Sequence, residues 1–139
     1  MSLQENKDIV QRVADLFNEQ KLEQVKECFA DDFSNHDPST PAALDREALI
    51  QAFAAWMAGF PDGRVQVEDM IAERDKVVKH WTFHGTQTGE FLGIPATGKK
   101  VLVYAATIYR LSGGKIVECW WNYDTMGMMQ QLGVIPPMG

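Results

Sequence analysis

Carboxylates are the plentiful reactive side chains of this sequence, whereas histidines and cysteines are scarce. The 139 residues contain 19 Asp and Glu against three His and two Cys. Cys28 and Cys119 lie far apart and form no CxxC pair, so we expect both to be small packing residues of a reduced chain. A Cys/His zinc site and a thiol nucleophile are therefore not expected.

The stretch 116–124 is the most informative segment of the sequence for function. If it forms a strand, alternate side chains point to opposite faces, and Trp120, Asn122 and Asp124 share one face. Polar groups beside a tryptophan are costly to bury unless they are paired, so this face indicates a cavity, a water site or a functional site. Asp124 can also cap a helix that begins at Thr125, and spacing alone leaves both roles open.

Two other patterns resemble known motifs but lack their physical context. His80 and His84 have the spacing of a helical zinc motif, yet the residues between them predict a strand, in which side chains four positions apart stand about 13 Å apart. Residues 93–100 almost spell a phosphate-binding loop, but Lys100 replaces the magnesium-binding hydroxyl and Pro95 lacks a backbone donor. We therefore expect two surface histidines and an irregular loop that closes one end of a sheet.

Helices at the start of the chain and strands after them must position these residues. Apolar residues at helical spacing predict helices over residues 5–20 and from 22 to about 31–33, and a third helix that Asp45 caps and Pro61 ends. The polar, proline-containing stretch 34–41 predicts a loop. β-branched and aromatic runs between residues 65 and 121 predict about four antiparallel strands, followed by a short helix from about Thr125 to Leu132. This order is typical of an α+β domain.

Three stretches of the sequence carry a resemblance to a known family: residues 35–38 (NHDP), 85–98 (GTQTGEFLGIPATG) and 114–133 (GKIVECWWNYDTMGMMQQLG). Together they resemble a SnoaL-like polyketide cyclase, within the superfamily that shares the cone-shaped fold of ketosteroid isomerase and nuclear transport factor 2. The resemblance covers nearly the whole chain. It implies a single cystatin-like, ketosteroid-isomerase-like domain over residues 1–139, in which a curved antiparallel sheet forms a cone around the N-terminal helices and an apolar pocket.

The resemblance also implies a reaction and a catalytic residue. In characterised cyclases of this family, an aspartate that matches Asp124 is the acid–base catalyst of an intramolecular aldol ring closure that uses no metal or cofactor. The family often has histidines where this chain has Gln87 and Thr107, which can hydrogen-bond but cannot be cationic. We expect a cyclase or isomerase acting on a polyketide-like or ester substrate. The alternatives are a non-catalytic small-molecule-binding protein and a hydrolase or dehydratase on the same scaffold.

The expected mechanism needs an apolar pocket around a carboxyl group, because such surroundings raise a carboxyl pKa by penalising the charged form. Asp124 is expected to remove a proton α to a carbonyl and to return one to the new alkoxide. Aromatic side chains would form the walls of the pocket, and polar side chains would bind the enolate. The predicted substrate-binding residues are His36, Trp56, Phe60, Phe83, Gln87, Thr107, Trp120 and Asn122.

Charge and hydropathy bear on partners and location. Lys and Arg number 13 against 19 Asp and Glu, and the net charge of −6 argues against nucleic acid or an anionic membrane as a partner. No apolar run approaches the roughly 20 residues of a membrane span and no signal-peptide pattern is present, so we expect a cytoplasmic protein.

The expected partners are a small apolar ligand and a second copy of the chain, with no cofactor. We expect a homodimer through the sheet face that carries Ile108, Trp121 and Tyr123, because an exposed apolar face needs cover.

Overall fold

One five-stranded sheet and four helices make up the part of the chain that the computed structural model describes, residues 2–38, 40 and 42–136. The strands lie in the order β1-β5-β4-β3-β2, and the N-terminal helices pack against the curved, open sheet. This architecture confirms the predicted α+β cone. The elements are α1 (Leu3–Asn18), α2 (Leu22–Glu27), β1 (Phe29–His36), α3 (Arg46–Gly59), β2 (Arg64–Glu73), β3 (Lys76–Thr86), β4 (Lys100–Ser112), β5 (Lys115–Tyr123) and α4 (Thr125–Leu132).

The helices form close to their predicted positions. Asp45 caps α3 as predicted, because its side chain accepts a hydrogen bond from the Ala48 backbone N–H at 2.9 Å. Such a cap contributes about 1 kcal/mol by satisfying a backbone donor that has no partner within the helix. Phe17 of α1 and Phe53 of α3 are buried and contact each other edge to face. None of the described helices is long and apolar enough to cross a membrane.

The first strand, β1, differs from the prediction of a helix end followed by a loop. Phe33 and Asn35 are buried in β1 while Asp31 and Asp32 are exposed. β1 pairs in parallel with β5, with Asn35 opposite Cys119, so the sheet is not purely antiparallel. Aspartates disfavour strands locally, which is why the sequence pattern concealed this one, and pairing with β5 outweighs that preference.

β5 turns the opposite face to the interior from the one that the sequence analysis favoured. Trp121 lies opposite Thr107 on the inner face, which the helices cover, whereas Asn122 is exposed on the outer face. Strand alternation separates two faces but does not say which one is inward. The ring of Phe53 contacts Trp121 at 5.9 Å. Trp121 and Tyr123 therefore do not lie on the sheet face through which a homodimer was predicted, because both face the interior of the chain. Ile108 does lie on the outer face, opposite Trp120.

Candidate active site

A cavity of about 100 Å³ lies between the inner face of the sheet and helices α1 and α3. Its floor is formed by buried residues such as Lys79, and its mouth by half-buried ones such as Asp37 and Tyr123. An apolar wall with a few polar groups is typical of a site for a small organic ligand. The aromatic side chains of the wall are Phe17, Phe53, Trp56, Trp81, Phe83 and Trp121, with Tyr123 at the mouth.

Lys79 places an ammonium group in the floor of this aromatic cavity. The residue lies on β3 opposite Thr107 of β4 and is 3% exposed. Its nitrogen lies 5.2 Å from the ring centroid of Trp81 and 5.3 Å from that of Tyr109. Among the described residues, no carboxylate lies within 4.0 Å of this nitrogen and no hydrogen bond from it is found. Burial lowers the pKa of Lys79 from 10.5 to about 8, because the charged form loses its hydration.

β1 brings a second polar side chain, Asn35, to the cavity wall. Asn35 is 3% exposed, and its side-chain Oδ1 accepts a hydrogen bond from the indole N–H of Trp121. Its backbone N–H and C=O pair with Leu44 at 2.8 and 2.9 Å. The bond from Trp121 fixes the orientation of the amide and occupies its acceptor, so the amide nitrogen, a donor, is the group available to a ligand.

The mouth of the cavity carries a carboxylate and a phenol. Asp37 directly follows β1, and Tyr123 is the last residue of β5. The Tyr123 hydroxyl donates to Asp37 Oδ2 at 3.1 Å. The parallel pairing of β1 with β5 makes this contact possible, because two parallel strands end at the same edge of a sheet. Asp37 is thus a carboxylate at the entrance of an aromatic cavity, with a phenol fixing one of its oxygens.

The inner face next to Lys79 holds further buried polar side chains. The indole N–H of Trp81 donates to the Thr107 hydroxyl at 2.9 Å. Thr107, predicted to bind substrate, is fully buried and fixes the Trp81 ring without itself lining the cavity. Among the described residues, the buried Tyr109 hydroxyl has no hydrogen-bond partner. Burial raises the pKa of Tyr109 well above its ordinary value, because the charged phenolate would lose its hydration. The Thr107 hydroxyl lies nearby and would lower this pKa, but it is not within hydrogen-bond geometry of the Tyr109 hydroxyl.

Of the three aromatic residues predicted to form the pocket walls from α3 and β3, two line the cavity. Trp56 and Phe83 are in the wall, and their rings contact each other at 4.9 Å. Phe60 is 1% exposed and lies behind them, 5.7 Å from the Trp56 ring and 5.4 Å from that of Phe83. Phe60 therefore supports the wall and does not line it.

Gln87 binds the irregular loop between β3 and β4 and does not reach the cavity lining. Its side-chain nitrogen donates to the carbonyls of Ile94 and Pro95 at 3.0 and 3.3 Å. Its side-chain oxygen accepts from the backbone N–H and hydroxyl of Thr97 at 3.2 and 2.7 Å. With both ends of the amide occupied inside the loop, Gln87 holds the loop that the sequence analysis expected to close one end of the sheet.

The remaining polar residues predicted from 35–38 and 116–124 lie on the outer face. His36 Nε2 lies 2.6 Å from Glu118 Oε2, and the His36 ring stacks on Trp120 at 5.3 Å. Burial raises the pKa of Glu118, but hydrogen bonds from His36 and Arg110 outweigh it and hold that pKa below its ordinary value. Asn122 is exposed. In the described ranges, no three His, Cys, Asp or Glu side chains are grouped to hold a metal ion.

Asp124, the predicted catalyst, caps α4 outside the cavity. Its Oδ1 accepts a hydrogen bond from the Gly127 backbone N–H at 2.8 Å, and the residue is exposed. Of the two roles that spacing left open, the structure places Asp124 in the cap. Asp124 is not among the cavity-lining residues.

The cavity contains four polar residues that the sequence analysis did not single out for this purpose: Asn35, Asp37, Lys79 and Tyr123. A signal for Lys79 was present, because β3 alternates and a single lysine interrupts its apolar inner face between Val77 and Trp81. Asn35 and Asp37 belong to the stretch 35–38 that carried the resemblance, but only the parallel pairing of β1 directs them inward.

The sequence of this chain matches a known family over most of its length. The profile of the SnoaL-like polyketide cyclases matches residues 7–132. The chain is 27% identical over 134 residues to DauD, the aklanonic acid methyl ester cyclase of Streptomyces sp. (strain C5), and the alignment covers 91% of this chain and 80% of DauD.

Solved structures share both the fold and the sequence similarity. IdmH of Streptomyces antibioticus, a proposed polyketide cyclase, is 30% identical with a TM-score of 0.82, over 92% of this chain and 98% of IdmH. A proposed SnoaL-like polyketide cyclase from Jannaschia sp. CCS1 is 28% identical with a TM-score of 0.86, over 96% and 94% of the two chains. AclR of Streptomyces galilaeus, at 23% identity and a TM-score of 0.90 over 99% of this chain and 87% of AclR, shares the fold. The chain therefore belongs to the family of SnoaL-like polyketide cyclases.

Proposed function

We propose that this protein is a cofactor-independent cyclase that moves a proton α to a carbonyl group and closes a ring by an aldol-type reaction. The proposed substrate is a small, apolar, polyketide-like molecule or ester. The observation that carries the proposal is the Asp37 carboxylate, held by Tyr123 at the mouth of a cavity with aromatic walls. The family and the DauD relative, which is named as a cyclase, support the same reaction class.

Asp37 takes the acid–base role in this proposal. Its carboxylate removes a proton from the carbon next to a carbonyl, and the electron pair of that C–H bond moves onto the carbonyl oxygen to give an enolate. The enolate carbon then forms a bond to a second carbonyl carbon of the same molecule. The oxygen of that second carbonyl becomes an alkoxide and takes the proton back from Asp37, so the carboxylate is regenerated and no atom is gained or lost.

Asn35 is the proposed hydrogen-bond donor to an oxygen that becomes negatively charged. Its Oδ1 is occupied by the Trp121 indole, which fixes the orientation of the amide and leaves the amide nitrogen as the donor. A donor fixed in advance costs no reorganisation during the reaction, and one such donor lowers a barrier by about 3 kcal/mol.

Two carboxylates of this chain provide a matched test, because one lines the cavity and the other does not. We would compare Asp37→Asn with Asp124→Asn, using turnover of aklanonic acid methyl ester, the compound that the DauD relative is named for. Asp37→Asn is expected to lower kcat by about 10²-fold to 10⁴-fold, the usual contribution of a general base. Asp124→Asn is expected to leave kcat within about two-fold of the wild type, since Asn is also a good helix cap.

Each result decides between stated alternatives. Full turnover by Asp37→Asn would remove Asp37 from the reaction, and a large loss confined to Asp124→Asn would return the catalytic role to Asp124. Binding of the substrate to the wild type without turnover would contradict the proposed activity and favour a small-molecule-binding protein. A hydrolysed or dehydrated product in place of a ring-closed one would favour the third class of function.

A further inference from the structure

We propose that Lys79 is an imine-forming lysine, whose amine bonds reversibly to the carbonyl carbon of an aldehyde or ketone held in the aromatic cavity. This inference rests on the proposed function only for the class of ligand, an apolar carbonyl compound. It assigns to the chain a covalent binding site, separate from the Asp37 carboxylate at the mouth.

The position of Lys79 favours an uncharged amine. The residue is 3% exposed and lies in the cavity lining. Among the described residues it has neither an ion pair nor a hydrogen bond, and the contacts of its nitrogen with two aromatic rings compensate only part of the lost hydration. A buried ammonium without a counter-charge is unfavourable, so burial shifts the equilibrium toward the neutral amine, which is the nucleophilic form.

The groups that face Lys79 offer no negative charge at neutral pH to stabilise its protonated form. Tyr109 of β4 and Cys119 of β5 are the nearest titratable groups, and burial raises the pKa of both well above their ordinary values. The residues that α1, α3 and β2 contribute to the cavity are apolar. Asp37, at the mouth, is the one described carboxylate in the cavity lining and lies beyond 4.0 Å of the Lys79 nitrogen.

The lowered pKa of Lys79 sets the fraction of its amine that is unprotonated at neutral pH. With a pKa of about 8, roughly a tenth of the Lys79 amine is unprotonated at neutral pH, against less than about a thousandth for a lysine at 10.5. The surrounding aromatic wall would hold an apolar carbonyl compound next to the Lys79 nitrogen, so the unprotonated amine and the carbonyl carbon would lie close together.

Imine formation by Lys79 needs no external oxidant or reductant. The lone pair of the neutral amine forms a bond to the carbonyl carbon, and the resulting carbinolamine takes one proton from solvent and loses water, which leaves a positively charged imine. Water reverses the step. A C–H bond next to the imine carbon is more acidic than one next to the parent carbonyl, because the cationic nitrogen accepts the electron pair.

Reductive trapping tests this inference without any natural substrate. The protein would be incubated at neutral pH with benzaldehyde and sodium cyanoborohydride, which reduces an imine to a stable secondary amine, and the labelled lysine would be located by peptide mass mapping. We expect Lys79 to be labelled about ten-fold faster than any other lysine. Peptide mapping of the wild type needs no variant, so the result does not depend on whether a Lys79 substitution folds.

Two variants provide controls. Lys76→Met removes an exposed lysine of the same strand, whose nitrogen also lies over a tryptophan ring, Trp120, and should leave the fast labelling intact. Lys79→Met should abolish it. A second probe, acetylacetone, should give the near-ultraviolet band of a vinylogous amide with the wild type and with Lys76→Met, and not with Lys79→Met.

The outcomes separate this inference from the proposed function. Asp37→Asn should still be labelled at Lys79, so failure of the Asp37 mechanism leaves the imine site standing. Labelling spread evenly over surface lysines, or fast labelling that persists in Lys79→Met, would overturn the imine site while leaving the Asp37 mechanism intact. Binding of acetylacetone as a non-covalent enolate, without mass gain, would also overturn it and indicate a purely electrostatic role for the ammonium group.

Discussion

Replacing Lys79 by methionine should make the protein more stable at neutral pH. Lys79→Met keeps an unbranched side chain and removes a buried ammonium group that has no ion-pair partner among the described residues. A charge that is buried without a partner costs free energy that an apolar side chain does not. The variant therefore exchanges a destabilising group for one that fits the aromatic cavity.

The pKa of Lys79 sets the size of the effect. A fall from 10.5 to about 8 corresponds to about 3 kcal/mol, at about 1.4 kcal/mol per pKa unit. The cation–π contacts with Trp81 and Tyr109 are lost in the variant and offset part of this gain, by about 1 kcal/mol each. We therefore expect the free energy of unfolding of Lys79→Met to exceed that of the wild type by about 1–2 kcal/mol at neutral pH.

The effect should depend on pH with a defined sign. The folded-state pKa lies below that of the unfolded chain, so between about 8 and 10.5 the unfolded chain holds more protons on Lys79 than the folded one. Wild-type stability therefore rises with pH across this window relative to Lys79→Met. The penalty is fully present below about pH 8 and disappears as the pH passes 10.5.

Urea unfolding of both proteins at a series of pH values measures this difference directly, because the titrations of other groups are common to both and subtract. Lys76→Met is the matched control, since Lys76 is exposed and its removal should change stability by no more than about 0.5 kcal/mol. A Lys79→Met protein that is less stable than the wild type at neutral pH would refute the reasoning. A stability difference that stays constant from neutral to alkaline pH would do the same.

Three further predictions concern the loop, the cap and the oligomeric state. Gln87→Leu should lower the free energy of unfolding by about 1–3 kcal/mol, because it removes the hydrogen bonds of a buried side chain to half-buried backbone groups of Ile94 and Thr97; unchanged urea unfolding would contradict this. Asp124→Ala should lower it by about 1 kcal/mol through loss of the α4 cap, measured by thermal melting, with turnover unaffected. The homodimer expected from the sequence should appear in size-exclusion chromatography, and a monomer at micromolar concentration would count against it.

Much of the fold could be predicted because local patterns and tertiary structure agree over most of the chain. The apolar stripe of α3 and its Asp45 cap, and the alternation along β4, point to the elements that form. β1 could not be predicted in this way. Its aspartates and its neighbouring prolines disfavour a strand locally, and its partner β5 lies far away in sequence. Only the pairing of the two strands decides the conformation.

The candidate site was harder to predict than the fold, since it depends on which face of each strand is inward. Alternation along β5 predicted that Trp120, Asn122 and Asp124 share one face. Trp120 and Asn122 lie on the outer face, and the neighbouring Trp121 and Tyr123 line the cavity. Gln87 was a candidate because it is a polar residue in a stretch that carries the family resemblance, yet both ends of its amide are hydrogen-bonded inside the loop. Which groups a side chain hydrogen-bonds depends on the packing around it, and this cannot be inferred from the spacing of residues in the sequence.

The parallel pairing of β1 with β5 also has a consequence for when the cavity comes into being. The bonds from Trp121 to Asn35 and from Tyr123 to Asp37 each join residues 86 positions apart. Contacts this distant along the chain close large loops, and closing them costs chain entropy. A chain in which only the β2–β3–β4 meander had formed would hold Lys79, Trp81 and Phe83 but would lack Asn35 and Asp37. Ligand binding should therefore select the completely folded chain and raise its melting temperature, as expected for a ligand that binds only the native state.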